Sequence, residues 1–269
     1  MNEERYGGRS VLSTTSRCAS CGYACLLVQM CSPQFCATYI VLLAQGDALA
    51  VFELHFRTSK ECSRMSIDNT RLTQLLKPYG IEPSVELAEM IRCYISLLLS
   101  WNTKMALTTV CDPEEIVRVH FGESFFAKTA LGIERGRLAD IGTGAGFPGI
   151  PIRMASPNVS VLLVEINAKK SAFLHEVVRK LGLKSVEIMR FRMEEIKLSD
   201  FDFITARALG NYEKLLSWSH EKLKSSGKLG LLLGEEETRR LMGNTSWNWD
   251  APIRIPSSKG KFVLAGHPK

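Results

Sequence analysis

A glycine-dense turn is the stretch whose residue types and spacing are best suited to chemistry. Residues 137–153 read R-L-A-D-I-G-T-G-A-G-F-P-G-I-P-I-R. The apolar residues at its start predict a short buried strand that ends at Ile141, and the prolines after the glycines suit the first turn of a helix. Glycine has no Cβ, so it accepts positive φ and lets a ligand approach the backbone closely. Strand, turn and helix start together predict a nucleotide-type binding site.

Two cofactor classes compete for this turn. Residues 144–149 match the G-x-G-x-x-G spacing of dinucleotide sites, which would make the chain a nicotinamide-dependent oxidoreductase. However, the strand already ends at Ile141, so the first glycine of the turn is Gly142, and the pattern becomes D-x-G-x-G-x-G with Asp140 at the strand end. This register favours S-adenosylmethionine. This cofactor has no pyrophosphate, so the loop must fit a methionine and a ribose instead. An acid near the turn is suited to the amino group of the methionine.

Composition sets broad limits on the protein. The chain has 269 residues, 45% of them hydrophobic, which allows one or two domains with a full core. A net charge of +6 and a pI of about 8.9 are compatible with a nucleic-acid partner.

Residues 1–64 differ from the rest of the chain, because six of the eight cysteines precede residue 65. Our hypothesis is a poorly ordered extension that is not native, with Met65 as a plausible start. A membrane anchor is one alternative. A zinc knuckle that uses Cys18 and Cys21 is another, although no well-spaced second pair accompanies them.

Residues 65–130 are predicted to form a helical cap ahead of the binding core. Asp68 or Asn69 is suited to cap a short helix, and Pro83 to open a longer one that ends near Trp101. A third helix is expected to begin at Asp112.

Residues 131–269 alternate between strand and helix patterns, which predicts a doubly wound parallel sheet. The predicted strands are Leu138–Ile141, Val159–Val164, Val186–Met189, Phe203–Ala206 and Leu229–Leu233. Two further strands, Ile253–Ile255 and Lys261–Leu264, predict a closing hairpin and therefore a seven-stranded, mostly parallel sheet.

Side chains that follow the predicted strands are the candidates for ligand contacts. Glu165 ends the second strand, where a carboxylate accepts hydrogen bonds from ribose hydroxyls. Met193 and Glu194 follow the third strand, beside the expected adenine, although a purely structural role is equally well supported. Arg207 follows the fourth strand and would hold the cofactor carboxylate or the base, with a structural ion pair as the alternative.

The methyl acceptor is predicted from two patterns that are missing near Arg207. No Asn/Asp-Pro-Pro-aromatic motif serves an exocyclic amine there, and no cysteine serves attack at pyrimidine C5. Guanine N7 has a free lone pair and no proton to lose, so it needs no general base. Catalysis would then consist of positioning the acceptor in line with the sulfonium.

These residues together resemble the small-subunit ribosomal RNA guanine-N7 methyltransferases, the glucose-inhibited division protein B family. The resemblance covers residues 68–267 and rests on the glycine turn with F-P-G-I-P, and on shorter pieces in order along the chain. Those pieces are L-L-S-W-N-T-K-M-A-L-T, D-P-E-E-I, H-F-G-E-S, L-L-V-E, F-R-M-E-E and A-R-A.

The resemblance implies a class I, Rossmann-like methyltransferase and assigns roles to individual residues. It implies a cytoplasmic protein that acts on a guanine in the decoding-region loop of 16S rRNA within a small-subunit ribosomal particle. We also expect a monomer with no membrane association and no metal. Arg207 is the implied catalytic residue, and His120, Lys169 and Arg192 the implied substrate-binding residues. The cofactor-binding set predicted here is Gly142, Thr143, Gly144, Gly146, Phe147, Glu165, Met193, Glu194 and Arg207.

Three positions depart from the family pattern. Ala106 stands where the family usually has Asn, Glu123 replaces an Asp, and Leu233 stands where a Lys commonly ends the fifth strand. Two alternatives remain open: a methyltransferase of the same fold that acts on a small molecule or protein, and an inactive ribosome-binding module, which Leu233 suggests.

Overall fold

The computed structural model describes the backbone of five strands before residue 67 and describes residues 67–269 throughout. The five strands are β1 (Asn2–Tyr6), β2 (Arg9–Arg17), β3 (Ala24–Ser32), β4 (Phe35–Leu43) and β5 (Leu49–Phe52). Each pairs antiparallel with the next. The sequence analysis predicts none of these strands, and the poor order expected of residues 1–64 stays a prediction. The zinc-knuckle cysteines Cys18 and Cys21, and the start expected at Met65, lie outside the described residues.

Residues 67–269 form a separate unit that begins with four helices. They are α1 (Asn69–Leu76), α2 (Val85–Asn102), α3 (Pro113–Ile116) and α4 (Glu123–Leu131), with a π-helical segment, Val117–Gly122, before α4. Side-chain oxygens of Asp68, Ser84 and Asp112 accept backbone N–H groups of the first turns of α1, α2 and α3. The predicted caps at Asp68 and Asp112 are therefore confirmed, whereas α2 is capped by Ser84, one residue after Pro83.

The chain then alternates between strands and helices as predicted. The strands are β6 (Arg135–Ile141), β7 (Asn158–Val164), β8 (Val186–Met189), β9 (Phe201–Arg207) and β10 (Leu223–Gly234), and all neighbouring pairs among them are parallel. The helices are α5 (Gly149–Ala155), α6 (Ala168–Lys180), α7 (Tyr212–Lys222) and α8 (Glu235–Met242). A short 3₁₀ turn, Met193–Glu195, follows β8.

The far edge of the sheet contains one strand more than predicted. Strand β13 (Lys261–Pro268) runs antiparallel to β10, and both β11 (Trp247–Trp249) and β12 (Ile253–Arg254) pair antiparallel along its other side. The predicted hairpin is β12–β13, and β11 continues the same edge after a three-residue interruption. The resulting order is β11-β13-β10-β9-β6-β7-β8, with β12 also on β13.

The helical region and the sheet share one core. A single cluster of buried apolar side chains joins Leu72, Tyr94 and Phe121 of the helices with Leu138 and Val161 of the sheet. A second cluster packs α7 and α8 on the opposite face. Because both faces are covered, the central strands are buried and the carboxyl ends of β6 and β9 lie side by side.

Within the described part of the chain, no helix combines the length and the apolar character that crossing a membrane requires.

Candidate active site

The glycine turn leaves the end of β6 with three glycines in the left-handed region. The φ angles are +66° at Gly142, +61° at Gly144 and +92° at Gly146. Side chains at two of these positions would clash: an added Cβ would lie 2.7 Å from Leu209 at Gly142 and nearer still to Tyr94 at Gly146. At Gly144 the nearest atom would be the carbonyl oxygen of Gly142, at 3.9 Å. Gly144 therefore borders open space, as a backbone that a ligand approaches should.

Asp140 supports the turn from inside instead of facing a ligand. Its side chain is fully buried, and its two oxygens accept hydrogen bonds from the Thr143 hydroxyl (2.5 Å), the Gly149 N–H (2.9 Å) and the Thr205 hydroxyl (3.0 Å). Burial raises the pKa of Asp140 to about 6, against the lowering effect of these donors. The expectation that Asp140 meets the cofactor's amino group is therefore wrong. The Thr143 hydroxyl likewise points at Asp140, so only its backbone remains for the predicted cofactor contact.

Glu165, at the end of β7, reaches across to the same turn. Its Oε2 accepts from the Gly144 N–H at 3.0 Å, and its Oε1 accepts from the Asn167 N–H at 2.8 Å. Each carboxylate oxygen can accept a further bond. The predicted contact with ribose hydroxyls is therefore compatible with this geometry, and the residue also fixes the turn.

An aromatic stack ties the turn to the helical region. The Phe147 ring lies between Tyr94 of α2, 5.2 Å away between centroids, and His120 of the π-helical segment, at 4.7 Å. The Tyr94 hydroxyl donates to the Ala145 carbonyl within the turn. Burial raises the pKa of Tyr94 well above its usual value, so its hydroxyl remains a donor. Phe147 is only 2% exposed, so the predicted cofactor contact at this position would rest on its backbone or ring edge.

Arg207 extends from the end of β9 toward this stack. Its Nη1 donates to the Val119 carbonyl at 3.0 Å, and its Nη2 donates to Nδ1 of His120 at 3.2 Å. Its guanidinium carbon lies 5.5 Å from the Phe147 ring centroid, within cation–π range. The side chain remains 21% exposed. Arg207 is thus held in place by the helical region while it keeps a face toward solvent.

These contacts fix the protonation of His120. Because a guanidinium only donates, Nδ1 of His120 must accept, and the proton lies on Nε2, 2.9 Å from the Thr108 hydroxyl. Burial, together with the charges of Arg207 and Lys261, lowers the pKa of His120 to about 3. His120 is therefore a neutral positioning group for Arg207 and cannot act as a general base near neutral pH.

A cavity of about 600 Å³ opens beside Arg207 and His120, at the carboxyl ends of β9 and β10. Other charged groups on its walls are Glu123, Glu237, Lys259 and Lys261. This volume is within the usual range for small-molecule sites. The edge of the sheet predicted to receive the methyl acceptor therefore contains a space of suitable size.

The remaining predicted residues lie on the other side of the glycine turn, after β7 and β8. Met193 is half-buried in the 3₁₀ turn, and Glu194 is exposed with its carboxylate 3.9 Å from Lys214. Lys169 is exposed in the first turn of α6, and Arg192 is exposed directly before the 3₁₀ turn. Neither Lys169 nor Arg192 lines the cavity, so the structure separates them from His120, with which the sequence analysis grouped them.

Three residues of the site, Tyr94, Thr108 and Lys261, carry no local sequence signal for their roles. Tyr94 and Thr108 act through contacts with residues 51 and 12 positions away. Lys261 lies 2.7 Å from Glu123 across 138 residues and faces Gly234 in the register of β10 and β13. It brings a cation beside Leu233, which is itself buried. Lys261 reaches the site through the pairing of β13 with β10, which cannot be read from the sequence.

Two features define the class of enzyme. Antiparallel strand β13 is inserted beside β10, and a glycine turn follows β6, the first strand of the parallel sheet. This is a class I S-adenosylmethionine-dependent methyltransferase. The open backbone at Gly144 and the spare lone pairs of Glu165 fit that cofactor, which supplies an electrophilic methyl group when bound.

Comparison with known proteins identifies the family. The family model described as rRNA small subunit methyltransferase G, GidB, matches residues 87–248. A Ribosomal RNA small subunit methyltransferase G of Xylella fastidiosa is 37% identical over 177 residues, which is 64% of this chain and 82% of the relative. One of Stenotrophomonas maltophilia is 33% identical over 197 residues, 72% of this chain and 91% of the relative. A solved S-adenosylmethionine-dependent methyltransferase structure from Aquifex aeolicus aligns with a TM-score of 0.49 and 18% identity, over 63% of this chain and 97% of that one. The chain belongs to the rRNA small subunit methyltransferase G family.

Proposed function

We propose that this protein transfers the methyl group of S-adenosylmethionine to N7 of a guanine in the decoding-region loop of 16S rRNA. The observation that carries the choice of N7 is the protonation of the groups around the cavity. His120, with a pKa of about 3, takes up no proton near neutral pH, and Arg207, Lys259 and Lys261 are cations. Glu237 is already paired with Arg240. The remaining acid on the wall, Glu123, is anchored by Lys261 at 2.7 Å. These groups favour an acceptor that needs no general base, as guanine N7 does.

The arrangement also supports direct methyl transfer. The free space at Gly144 and the cavity beside Arg207 lie at the ends of the neighbouring strands β6 and β9. A cofactor bound at Gly144 and a base bound in the cavity would therefore meet at the carboxyl ends of these two strands. The rigid stack of Tyr94, Phe147 and His120 under Arg207 limits movement, which favours alignment of the acceptor with the sulfonium.

The RNA substrate is inferred from the relatives and from charge. The relatives named above are ribosomal RNA small subunit methyltransferases, and this chain carries a net charge of +6. Exposed Lys169 and Arg192 would contact phosphates around the site. We place the reaction in the cytoplasm, on RNA within a small-subunit particle, with the protein acting as a monomer.

A direct test is to map N7-methylguanosine in 16S rRNA with and without the gene. The proposal expects one guanine in the decoding-region loop to lose its N7 methyl group when the gene is deleted and to regain it on complementation. An unchanged 16S rRNA, or the loss of a methyl group from another atom, would refute it. Loss of methylation on a small molecule or protein would favour the alternative substrate.

A further inference from the structure

Glu123 presents a buried carboxylate oxygen that lacks a hydrogen-bond partner. The residue begins α4, lines the cavity beside Arg207 and is only 2% exposed. Its Oε1 accepts from Nζ of Lys261 at 2.7 Å. Its Oε2 has no hydrogen bond to any described residue, and its neighbour Nη1 of Arg207 lies 3.8 Å away, beyond hydrogen-bond range. A buried acceptor without a donor is costly, so this oxygen calls for an explanation.

The other buried acids near the site do not share this feature. The two oxygens of Asp140 accept three hydrogen bonds, and each oxygen of Glu165 accepts one. These two carboxylates fix the glycine turn. Glu123 instead lines the cavity, with one oxygen anchored by Lys261 and the other buried without a hydrogen-bond donor among the described residues.

The donors that suit this oxygen distinguish the two purines. Both purines carry N7, but guanine presents an N1–H and an N2 amino group side by side, whereas adenine presents an acceptor at N1 and no amino group at C2. One carboxylate oxygen placed between the two guanine donors accepts from both. Adenine would place its N1 lone pair against the carboxylate, which is repulsive.

We infer that Glu123 is the specificity-determining residue for the acceptor base, with Oε2 accepting hydrogen bonds from N1–H and the N2 amino group of guanine. This inference rests on the proposed function. It assigns selection of the base to Glu123 and leaves the positioning of Arg207 to His120 and Val119.

The test replaces the target guanine with inosine, which keeps N7 and N1–H but lacks the N2 amino group. Small-subunit particles are reconstituted with 16S rRNA carrying either base at the mapped nucleotide, and kcat/KM for methyl transfer is measured. Wild-type protein should prefer guanine to inosine by at least about tenfold, equivalent to roughly 1.4 kcal/mol. Equal values for the two bases would overturn the inference without any need for a variant.

The variant Glu123→Gln tests whether this residue is the source of the preference. Lys261 only donates, so it should hold the amide oxygen and leave the amide NH₂ in the place of Oε2, where it opposes the guanine donors. The guanine-to-inosine ratio should then fall to about one. A ratio that survives in Glu123→Gln, even with lower overall activity, would reduce Glu123 to a structural ion pair.

A matched control is Glu237→Gln on the same cavity wall. The Glu237 carboxylate is already paired with Arg240 at 2.6 Å, so the ratio should stay at the wild-type value. Methyl transfer to neither base by wild-type protein would refute the proposed function itself, whereas equal transfer to both would refute only the role of Glu123.

Discussion

At the scale of single residues, the site depends on a few groups that face inward and a few that face open space. Asp140, Glu165 and Tyr94 hold the glycine turn, and His120 holds Arg207. The open positions are Gly144, the exposed part of Arg207 and the cavity beside it. The first three predictions separate these two roles.

Gly144→Val should block the cofactor. The added side chain would occupy the open space at the turn, so affinity for S-adenosylmethionine should weaken at least about tenfold, or ~1.4 kcal/mol. Gly80→Val is the matched control, because Gly80 has a φ of +73° with nothing within 4 Å of an added Cβ. It therefore carries the same backbone strain, about 1–2 kcal/mol, away from the site. Calorimetry that finds equal cofactor affinity in both variants would refute the assignment of the turn.

Arg207→Ala should lower kcat for methyl transfer by about 100-fold, because a misplaced acceptor costs about this much. Arg207→Lys should also fail, since an ammonium cannot reproduce the planar two-point contact with Val119 and His120. Circular dichroism checks that both variants fold. Wild-type turnover in Arg207→Ala would make Arg207 a structural residue only.

His120 should make the fold sensitive to acid. Its pKa of about 3 lies below the ordinary value of 6.5, so between these values the unfolded chain binds a proton that the folded chain does not. Stability therefore falls as the pH decreases from 6.5 toward 3. Asp140 acts in the opposite direction between pH 6 and 3.8, because its pKa is raised to about 6.

His120→Gln separates these two effects, since Asp140 contributes to both proteins. Thermal unfolding at pH 7 and pH 5 should show a smaller loss of stability in His120→Gln than in the wild type. Parallel losses in the two proteins would contradict the protonation state assigned to His120.

At the scale of elements, α2 and the π-helical segment place the helical region against the glycine turn. Tyr94→Phe keeps the ring stack with Phe147 but removes the hydroxyl that donates to Ala145. We expect a loss of about 1–2 kcal/mol in the free energy of unfolding, together with weaker cofactor binding. Urea unfolding and calorimetry measure the two quantities. A stability loss with unchanged cofactor affinity would show that the turn is rigid without this helix contact.

The elements that the sequence predicts well are those with a strong local pattern. Strand β8 matches its predicted bounds, and the cap at Asp112 is where expected, because apolar patterning and capping are local properties. Strand β11 is missed because it has only three residues and is separated from β12 by Asp250–Pro252.

The site is predicted less completely than the fold, for a physical reason. The glycine turn, Glu165 and Arg207 follow strand ends and can be found from the pattern alone. The orientation of Asp140, the Thr108 contact and the Lys261–Glu123 pair depend on contacts between residues distant in sequence or on side-chain direction. Residue spacing does not encode these features.

At the scale of the whole molecule, net positive charge should govern binding to the ribosomal particle. Lys169→Ala combined with Arg192→Ala should weaken binding and reduce the dependence of log Kd on log salt by about one per lost phosphate contact. The fold should not change, because both substituted side chains are exposed.

Lys180→Ala is the control for this prediction, since Lys180 is exposed at the opposite end of α6 from Lys169. Binding titrations at several salt concentrations compare the variants with the wild type. A double variant that keeps the wild-type salt dependence would exclude phosphate contacts at Lys169 and Arg192.

The most direct test of the central claim is methyl transfer by the purified protein. Small-subunit particles from a strain that lacks the gene are incubated with the protein and isotopically labelled S-adenosylmethionine, and the rRNA is digested and analysed by mass spectrometry. The account predicts one labelled N7-methylguanosine, from the decoding-region loop. Label on another atom of the RNA, or no label in the RNA while the cofactor binds, would contradict it.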